Sequence, residues 1–288
     1  MNPKYVVITP ARDEEDHIEG VVQSMVDQTV RPTTWVIVND GSTDRTAELL
    51  DRAAEGHDWI RAVHREDRGF RAAGGGVMEA FYAGLEAVED DDWEFLVKLD
   101  GDLQFENDYF ERCLREFEKD PKLGVGGGVI KNRIGDQLVL ERVPAFHVRG
   151  ATKIYRRACW DAIEGLIAAP GWDTLDEVKA NYLGWSSRSF DDVVLIQERF
   201  TGDAAGQWRN WVKNGKAAYI TGYHPLFLMS KAGVRALRRP YLKASLGLVW
   251  GYFGAPLSGV KKGATKDVVR YVRQQQLRRL MGRSTIWR

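Results

Sequence analysis

The chain has 288 residues, enough for one large domain or two small ones, and its 44% apolar and 28% charged content is that of an ordinary soluble globular protein. Two cysteines, Cys113 and Cys159, exclude a disulfide framework and a cysteine metal cluster and point to a reducing cytoplasm. No run of about eighteen apolar residues predicts a membrane span, and the start, MNPKYVVITPARDEED, lacks the basic and then apolar pattern of a leader.

KYVVITP is a short β-rich run, and EEDHIEGVVQSMVDQ follows with Ile18, Val21, Val22, Met25 and Val26 on one helical face. TWVIVND is a second strand. GSTDRTAELLDRAAE opens a helix behind a Ser, Thr and Asp cap cluster. IRAVHR is a weaker strand, GGGVMEAFYAGLEAV a helix and WEFLVKLD a fourth strand. ENDYFERCLREFEKD is a helix with Phe110, Leu114 and Phe117 in phase. Continuous apolar strands alternating with helices predict a parallel sheet covered on both faces. Ligands bind such sheets beyond the carboxyl ends of the strands. Three polar stretches fall there: TPARDE, NDGSTD and DGD. From about residue 130 the pattern loosens, and from about residue 206 it turns helical.

DGD places Asp100 and Asp102 one residue apart, where they repel unless a cation sits between them. A calcium loop fits Asp100, Asp102 and Glu111 at its first, third and twelfth positions, but Phe105 stands where the sharp turn needs glycine. An aspartyl-phosphate nucleophile would be followed by other residues than Leu103 and Gln104 and expected on the first strand. Two readings stay open from the residues alone: a purely structural turn, and a divalent cation held against a diphosphate. Mg2+ or Mn2+ takes one or two carboxylates plus phosphate oxygens, and neutralises charge on a departing phosphate. Asp40 can accept hydrogen bonds from a base or a ribose, with Gly41 and Ser42 letting the chain turn close.

VVITPARDEEDHI, WVIVNDGSTDRT, RGFRAAGGG and LVKLDGDL, in this order, resemble family 2 glycosyltransferases, which have the GT-A fold. The resemblance extends to GATKIYRRACWDAIEGL and GWDTLDEVKANYLGW and covers roughly residues 4–200. It implies a mixed, mostly parallel, Rossmann-like α/β sheet flanked by helices. It also implies metal-dependent inverting transfer of a sugar from a nucleotide-diphosphate sugar to an acceptor hydroxyl, as in cell-surface or extracellular glycan synthesis. By resemblance, Asp102 binds the metal, and Asp100 contacts the ribose or reaches the metal through water. Thr9, Arg12, Glu14, Asp40 and Arg71 line the nucleotide, and Gly74, Gly75 and Gly76 permit close approach. Inverting displacement needs a carboxylate base, and Asp173, Asp176 and Glu177 are on offer. The family's acid motif ahead of a helix closing in GW matches Thr174 and Asp176 best, with Glu177 in competition.

HVRGATKIYRR is the expected acceptor side, and Trp172 and Trp185 are candidates to stack on a sugar. Gln207 and Trp211 miss the spacing of the processive synthase motif. His224 is a candidate third metal ligand or a helix cap. The expected organisation is a catalytic domain over 1–230, divided into a nucleotide-binding half, 1–105, and an acceptor half, 106–230. A basic, amphipathic helical extension follows over 231–288. That extension carries 14 Lys or Arg against one acid, Asp267. Such a tail suits docking on the acidic body, dimerisation, or peripheral contact with an anionic membrane, which would suit a lipid-linked acceptor. A nucleotidyltransferase would carry a basic glycine-rich loop where TPARDEED is acidic. The remaining rivals are a polyprenyl-phosphate glycosyltransferase and a sugar-nucleotide-binding module without turnover. No nucleic-acid partner is expected.

Overall fold

The computed structural model describes residues 3–67, 75–198, 207–237 and 241–287. Strand β1 (Tyr5–Ala11) is buried throughout and lies between β2 (Thr34–Asp40) and β4 (Phe95–Leu99), parallel to both, with Val7 opposite Trp35 and Val97. Strand β3 (Ile60–Arg65) adds in parallel outside β2. This half follows the expected alternation, because strands covered on both faces need apolar residues at every position. The order β3-β2-β1-β4 reverses direction between β1 and β4, the switch point at which such sheets form a crevice beyond the strand ends.

The second half of the sheet is mostly antiparallel. β4 pairs with β8 (Thr152–Arg156), β8 with β6 (Leu123–Ile134), and β9 (Ser186–Gln197) runs parallel to β6. β5 (Leu103–Phe105) closes the far edge on β9, and β7 (Gln137–Leu140) pairs with β6. Sequence periodicity did not reach these strands. β6 contains Gly124, Gly126, Gly127 and Gly128, which have no side chains to mark a period.

Helices α1 (Ile18–Val26), α2 (Thr46–Gly56) and α4 (Tyr109–Lys119) cover one face, over a core that includes Val7, Trp35, Val97 and Phe110. Helices α3 (Gly75–Glu86), α5 (Arg157–Ile163) and α6 (Trp172–Tyr182) cover the other, over Ile8, Leu96, Phe81 and Tyr155. A third core joins α6 to α7 (Gln207–Ile220), α8 (Pro225–Ala236), α9 (Leu242–Leu257) and α10 (Lys266–Leu280) through Val178, Ala218, Leu228, Leu248 and Val272. The helical unit therefore takes in α7, ahead of residue 231. Helices α7 and α9 nearly touch backbones: a Cβ at Gly251 would fall 2.1 Å from the Val212 carbonyl oxygen.

Candidate active site

The loops after β1 and β2 are laced together at the crevice. Asp13 N donates to Ser42 Oγ at 3.0 Å, Thr43 N to Asp13 Oδ1 at 2.9 Å, and Glu14 N to Thr46 Oγ1 at 2.8 Å. Gly41 has a φ of +70°, and a Cβ there would meet Asp67 Cα at 2.5 Å, so only glycine fits. Arg12 donates to the Asp40 carbonyl oxygen at 2.8 Å and to Asp67 Oδ1 at 2.6 Å, while Arg65 donates to Asp40 Oδ1 at 2.7 Å. Two guanidinium groups and two carboxylates thus converge over the ends of β1 to β3. This polar rim can present acceptors to base and ribose groups and cations to phosphate.

Asp100 and Asp102 leave the end of β4, against the β1 loop: a Cβ on Gly101 would sit 3.5 Å from Glu14 Cγ. Their repulsion is met by different partners. Asp100 pairs with the buried Lys98, whose Nζ also donates to Gly150 O at 2.7 Å. Asp102 is buried and accepts from Gln197 Nε2 at 3.1 Å. The other amide atom, Gln197 Oε1, is buried without a hydrogen-bond partner among the described residues. Such an orphan oxygen beside a carboxylate suits a hard divalent cation, which takes oxygen ligands only. The residues present therefore fit Mg2+ or Mn2+, although no group of three or more His, Cys, Asp or Glu is gathered for a metal among the described residues.

Asp173 enters the site from the opposite side. It lies in the first turn of α6, where the helix dipole favours an acid, and is part-exposed. It lines a cavity of about 440 Å³ with His147, Arg149, Asn210, Lys213 and Lys231. Burial pushes its carboxyl up, but the charges of His147, Lys153 and Arg149 outweigh that and hold it below the ordinary carboxylate value. The two sides meet at residues 150–151. Asp100 N donates to Ala151 O at 2.8 Å, and a Cβ on Gly150 would fall 3.2 Å from Asp173 Cβ. The strand order thus puts the acid pair, the polar rim and a carboxylate on one edge of the sheet.

Residues 6–142 match the family model described as glycosyl transferase family 2. The chain carries a glycosyl transferase family 2 domain. The chain is 29% identical over 131 residues to the uncharacterized glycosyltransferase EpsJ of Bacillus subtilis (strain 168), covering 46% of this chain and 35% of that protein. It is 30% identical over 124 residues to the poly-beta-1,6-N-acetyl-D-glucosamine synthase of Staphylococcus aureus (strain MSSA476), covering 42% and 27%. The match thus spans about a third or less of these curated relatives. Among solved structures, the mannosyltransferase PcManGT from Pyrobaculum calidifontis, in complex with GDP-Man and Mn2+, superposes with a TM-score of 0.57 at 16% identity, over 99% of this chain and 77% of that one. S. aureus TarS 1–349 in complex with UDP-GlcNAc gives 0.54 at 14% identity, over 97% and 92%. The fold is GT-A, a mostly parallel sheet flanked by helices.

Within the family 2 domain and its continuation, three expected site residues point elsewhere. Thr9 is buried, and its hydroxyl accepts from Trp35 Nε1 at 2.9 Å, so it serves the core. Asp176 and Glu177 lie on the inner face of α6, their side chains 1% and 0% exposed. Lys153 Nζ sits 2.7 Å from Asp176 and 2.8 Å from Glu177. Tyr155 donates to Asp176 at 2.6 Å, and Val148 N and His147 hold Glu177 at 2.7 and 2.8 Å. Burial, aided by Glu177, pushes Asp176 up to about 6 against the pull of Lys153. Neither acid lines the cavity that holds Asp173; Asp176 instead borders a smaller one of about 230 Å³ with Leu175, Lys179 and Gly263.

His224 caps α8, its Nδ1 accepting from Leu226 N at 3.2 Å. Trp172 is buried, with the Nζ atoms of Lys98 and Lys153 each 5.6 Å from its ring centroid, and Trp185 is packed against the core. Arg156 donates to the carbonyl oxygens of Phe117 and Leu123, so the Tyr-Arg pair is structural, whereas His147 and Arg149 line the cavity. Arg71 and Gly74 lie outside the described residues; Gly75 and Gly76 open α3. The residues sequence reasoning missed are Lys98, Lys153 and Gln197. A lysine inside an apolar strand was the available signal, since a buried cation demands a carboxylate.

Proposed function

We propose that the chain is a metal-dependent, inverting glycosyltransferase that uses a nucleotide-diphosphate sugar, with Asp173 as the base in place of Asp176 or Glu177. The observation that carries this reading is the junction at Gly150 and Ala151, which the Asp100 loop contacts through Ala151 O and Asp173 approaches at Gly150. The family membership of residues 6–142 supports the reaction class, and the Mn2+ complex of PcManGT supports the cofactor.

Arg12, Asp40 and Arg65 would hold the base and ribose, with Glu14 supporting the loop and Asp100 turned to the ribose by Lys98. Asp102 and Gln197 Oε1 would hold Mg2+ or Mn2+, which when bound supplies positive charge to the diphosphate. Asp173 takes the proton of the acceptor hydroxyl as that oxygen forms its bond to the anomeric carbon. The bond from the anomeric carbon to the diphosphate oxygen breaks on the opposite face, and its electrons leave with the nucleotide. Lys153 contacts the carbonyl oxygen of Asp173 as well as Asp176 and Glu177, so the buried acids position the first turn of α6.

The acceptor is a glycan in this reading, by likeness to the polysaccharide synthases. A phosphate-bearing lipid acceptor is the second reading, favoured by Arg149, Lys213 and Lys231 around the cavity. Both place the enzyme where nucleotide sugars are made, in the cytoplasm. The test is donor turnover with Mn2+ across UDP-, GDP- and dTDP-sugars. Asp173→Asn should keep nucleotide binding and lower kcat by roughly two to four powers of ten; Asp102→Asn should lose metal-dependent turnover. Full activity in Asp173→Asn removes the base assignment. Binding without any turnover makes the chain a sugar-nucleotide-binding module.

A further inference from the structure

Helix α9 is apolar on both faces. Its inner face, with Ala244, Gly247, Leu248, Gly251 and Ala255, is buried in the helical unit. On the outer face Leu242, Leu246, Trp250, Phe253 and Leu257 are all exposed, Trp250 at 70% and Leu257 at 90%. At about 100° per residue these five fall within an arc of about 80°, so they form one stripe. The neighbouring α8, tied to α9 by Ser245 Oγ donating to Ala232 O at 2.7 Å, exposes Leu226, Met229, Val234 and, just past its end, Leu237. A helix that is apolar all round but covered on one side only needs a second cover.

Charge decides which cover. Residues 204–266 contain 11 Lys or Arg and no Asp or Glu. Lys243 follows the first residue of the stripe, Lys261 and Lys262 follow its end, and Lys231 stands on α8; all four are exposed. A second copy of this face would bring like charges together around the apolar contact. An anionic lipid surface satisfies both the stripe and its lysine margin. No helix among the described residues is long and apolar enough to cross a bilayer, so the geometry is that of a helix lying in the interface. The more basic α10 does not offer this face: its apolar Val268, Val269 and Val272 are buried, and Lys266, Arg270, Arg278 and Arg279 point outward.

We propose that the outer face of α8 and α9 docks on an anionic lipid bilayer, with Leu246, Trp250 and Leu257 entering the interface and Lys243, Lys261 and Lys262 meeting headgroups. Lys231 lies on α8 and also lines the cavity that holds Asp173, so docking sets the cavity beside the membrane. That consequence rests on the glycosyltransferase reading; the docking itself does not.

The full chain should co-sediment with phosphatidylcholine vesicles containing phosphatidylglycerol, bind phosphatidylcholine alone far less, and release as salt rises. Leu246→Gln with Trp250→Gln should lower the bound fraction on anionic vesicles by at least about tenfold. Lys243→Glu with Lys261→Glu should do the same and remove most of the salt dependence. Both pairs are exposed, so Tm and nucleotide binding should stay unchanged. Equal partition of wild type and both variants overturns the proposal, as does failure to bind either vesicle. A stable dimer in ultracentrifugation that Leu246→Gln with Trp250→Gln dissociates also overturns it, by assigning the face to a second copy.

Discussion

Lys98 on β4 and Lys153 on β8 are direct neighbours in the antiparallel register, both buried, and both within 5.6 Å of the Trp172 ring centroid. Like charges opposite each other on paired strands repel, so each needs its own anion. Lys98 turns to the rim and meets Asp100; Lys153 turns inward and meets Asp176 and Glu177. The strand pair thus divides one acidic set into a solvent-facing part and a buried part.

Removing either lysine should expose that division. Lys153→Met strands two buried carboxylates and should cost about 3–5 kcal/mol of stability. Lys98→Met leaves Asp100 with access to water, its side chain 29% exposed, and should cost about 1–2 kcal/mol. Urea unfolding at neutral pH measures both. Equal losses would mean that the two lysines do not differ as described.

The buried set also gives stability a definite pH slope. Asp176 is pushed up to about 6 from an ordinary 3.8, chiefly by burial, so the folded chain holds this proton more tightly than the unfolded one. Its contribution is full below about pH 4 and is lost as pH rises through about 6. His147 is pulled down by burial and raised more strongly by Glu177, so its contribution is also lost as pH rises past its raised value. The two slopes have the same sign. Stability should fall from pH 5 to pH 8 by an amount on the order of 1–3 kcal/mol, lowering Tm, and Asp176→Asn should flatten the part near 6. Below about pH 4 the lowered carboxyl of Asp173 turns the slope over. A thermal-unfolding series from pH 4.5 to 8.5 that climbs throughout would rule this out.

The sequence carried the parallel half of the fold because Val6, Val7, Ile8 and Val97 had to be apolar on both faces. It placed Asp40, Asp100 and Asp102 on one rim for the same reason: they follow strand ends. It did not separate Asp173 from Asp176 and Glu177. All three lie on one side of α6, Asp173 three and four residues ahead of Asp176 and Glu177, and depth separates them: Asp173 sits part-exposed in the first turn and the other two are buried one turn further in. Trp172, Leu175 and Asp176 share the inner face, and Glu177 joins them because Val148 N and Lys153 reach it there. Pairing across β4 and β8 is long-range and leaves no local period, so the partners of Lys98 and Lys153 were not legible. Gln197 lies on β9, distant in sequence from Asp102, and meets it only because β5 pairs with β9.

Gln197 offers a test of the metal site without turnover. Its Nε2 donates to Asp102 and its Oε1 is buried without a partner among the described residues, so Gln197→Leu removes a candidate oxygen ligand and a contact that orients Asp102. Calorimetry of Mn2+ with the nucleotide diphosphate present should show affinity about ten- to hundredfold weaker, and Asp102→Asn should show none. Unchanged affinity in Gln197→Leu would limit this residue to holding the end of β9.

The last prediction concerns the base itself. Asp173 is held low by His147, Lys153 and Arg149, so it remains ionised well into acid and sets the acid limb of kcat/KM below the ordinary carboxylate value. Arg149 is paired with Glu141 at 2.9 Å and lines the same cavity. Arg149→Gln removes one of the three cations, so the Asp173 carboxyl rises, and the acid limb should move to higher pH. The same change in a chain that used Asp176 would move the limb little, because the largest influences on Asp176 are burial, Lys153, Glu177 and the Tyr155 hydroxyl. The direction and size of that displacement, read from pH profiles of wild type and Arg149→Gln, therefore separate the two carboxylates without mutating either.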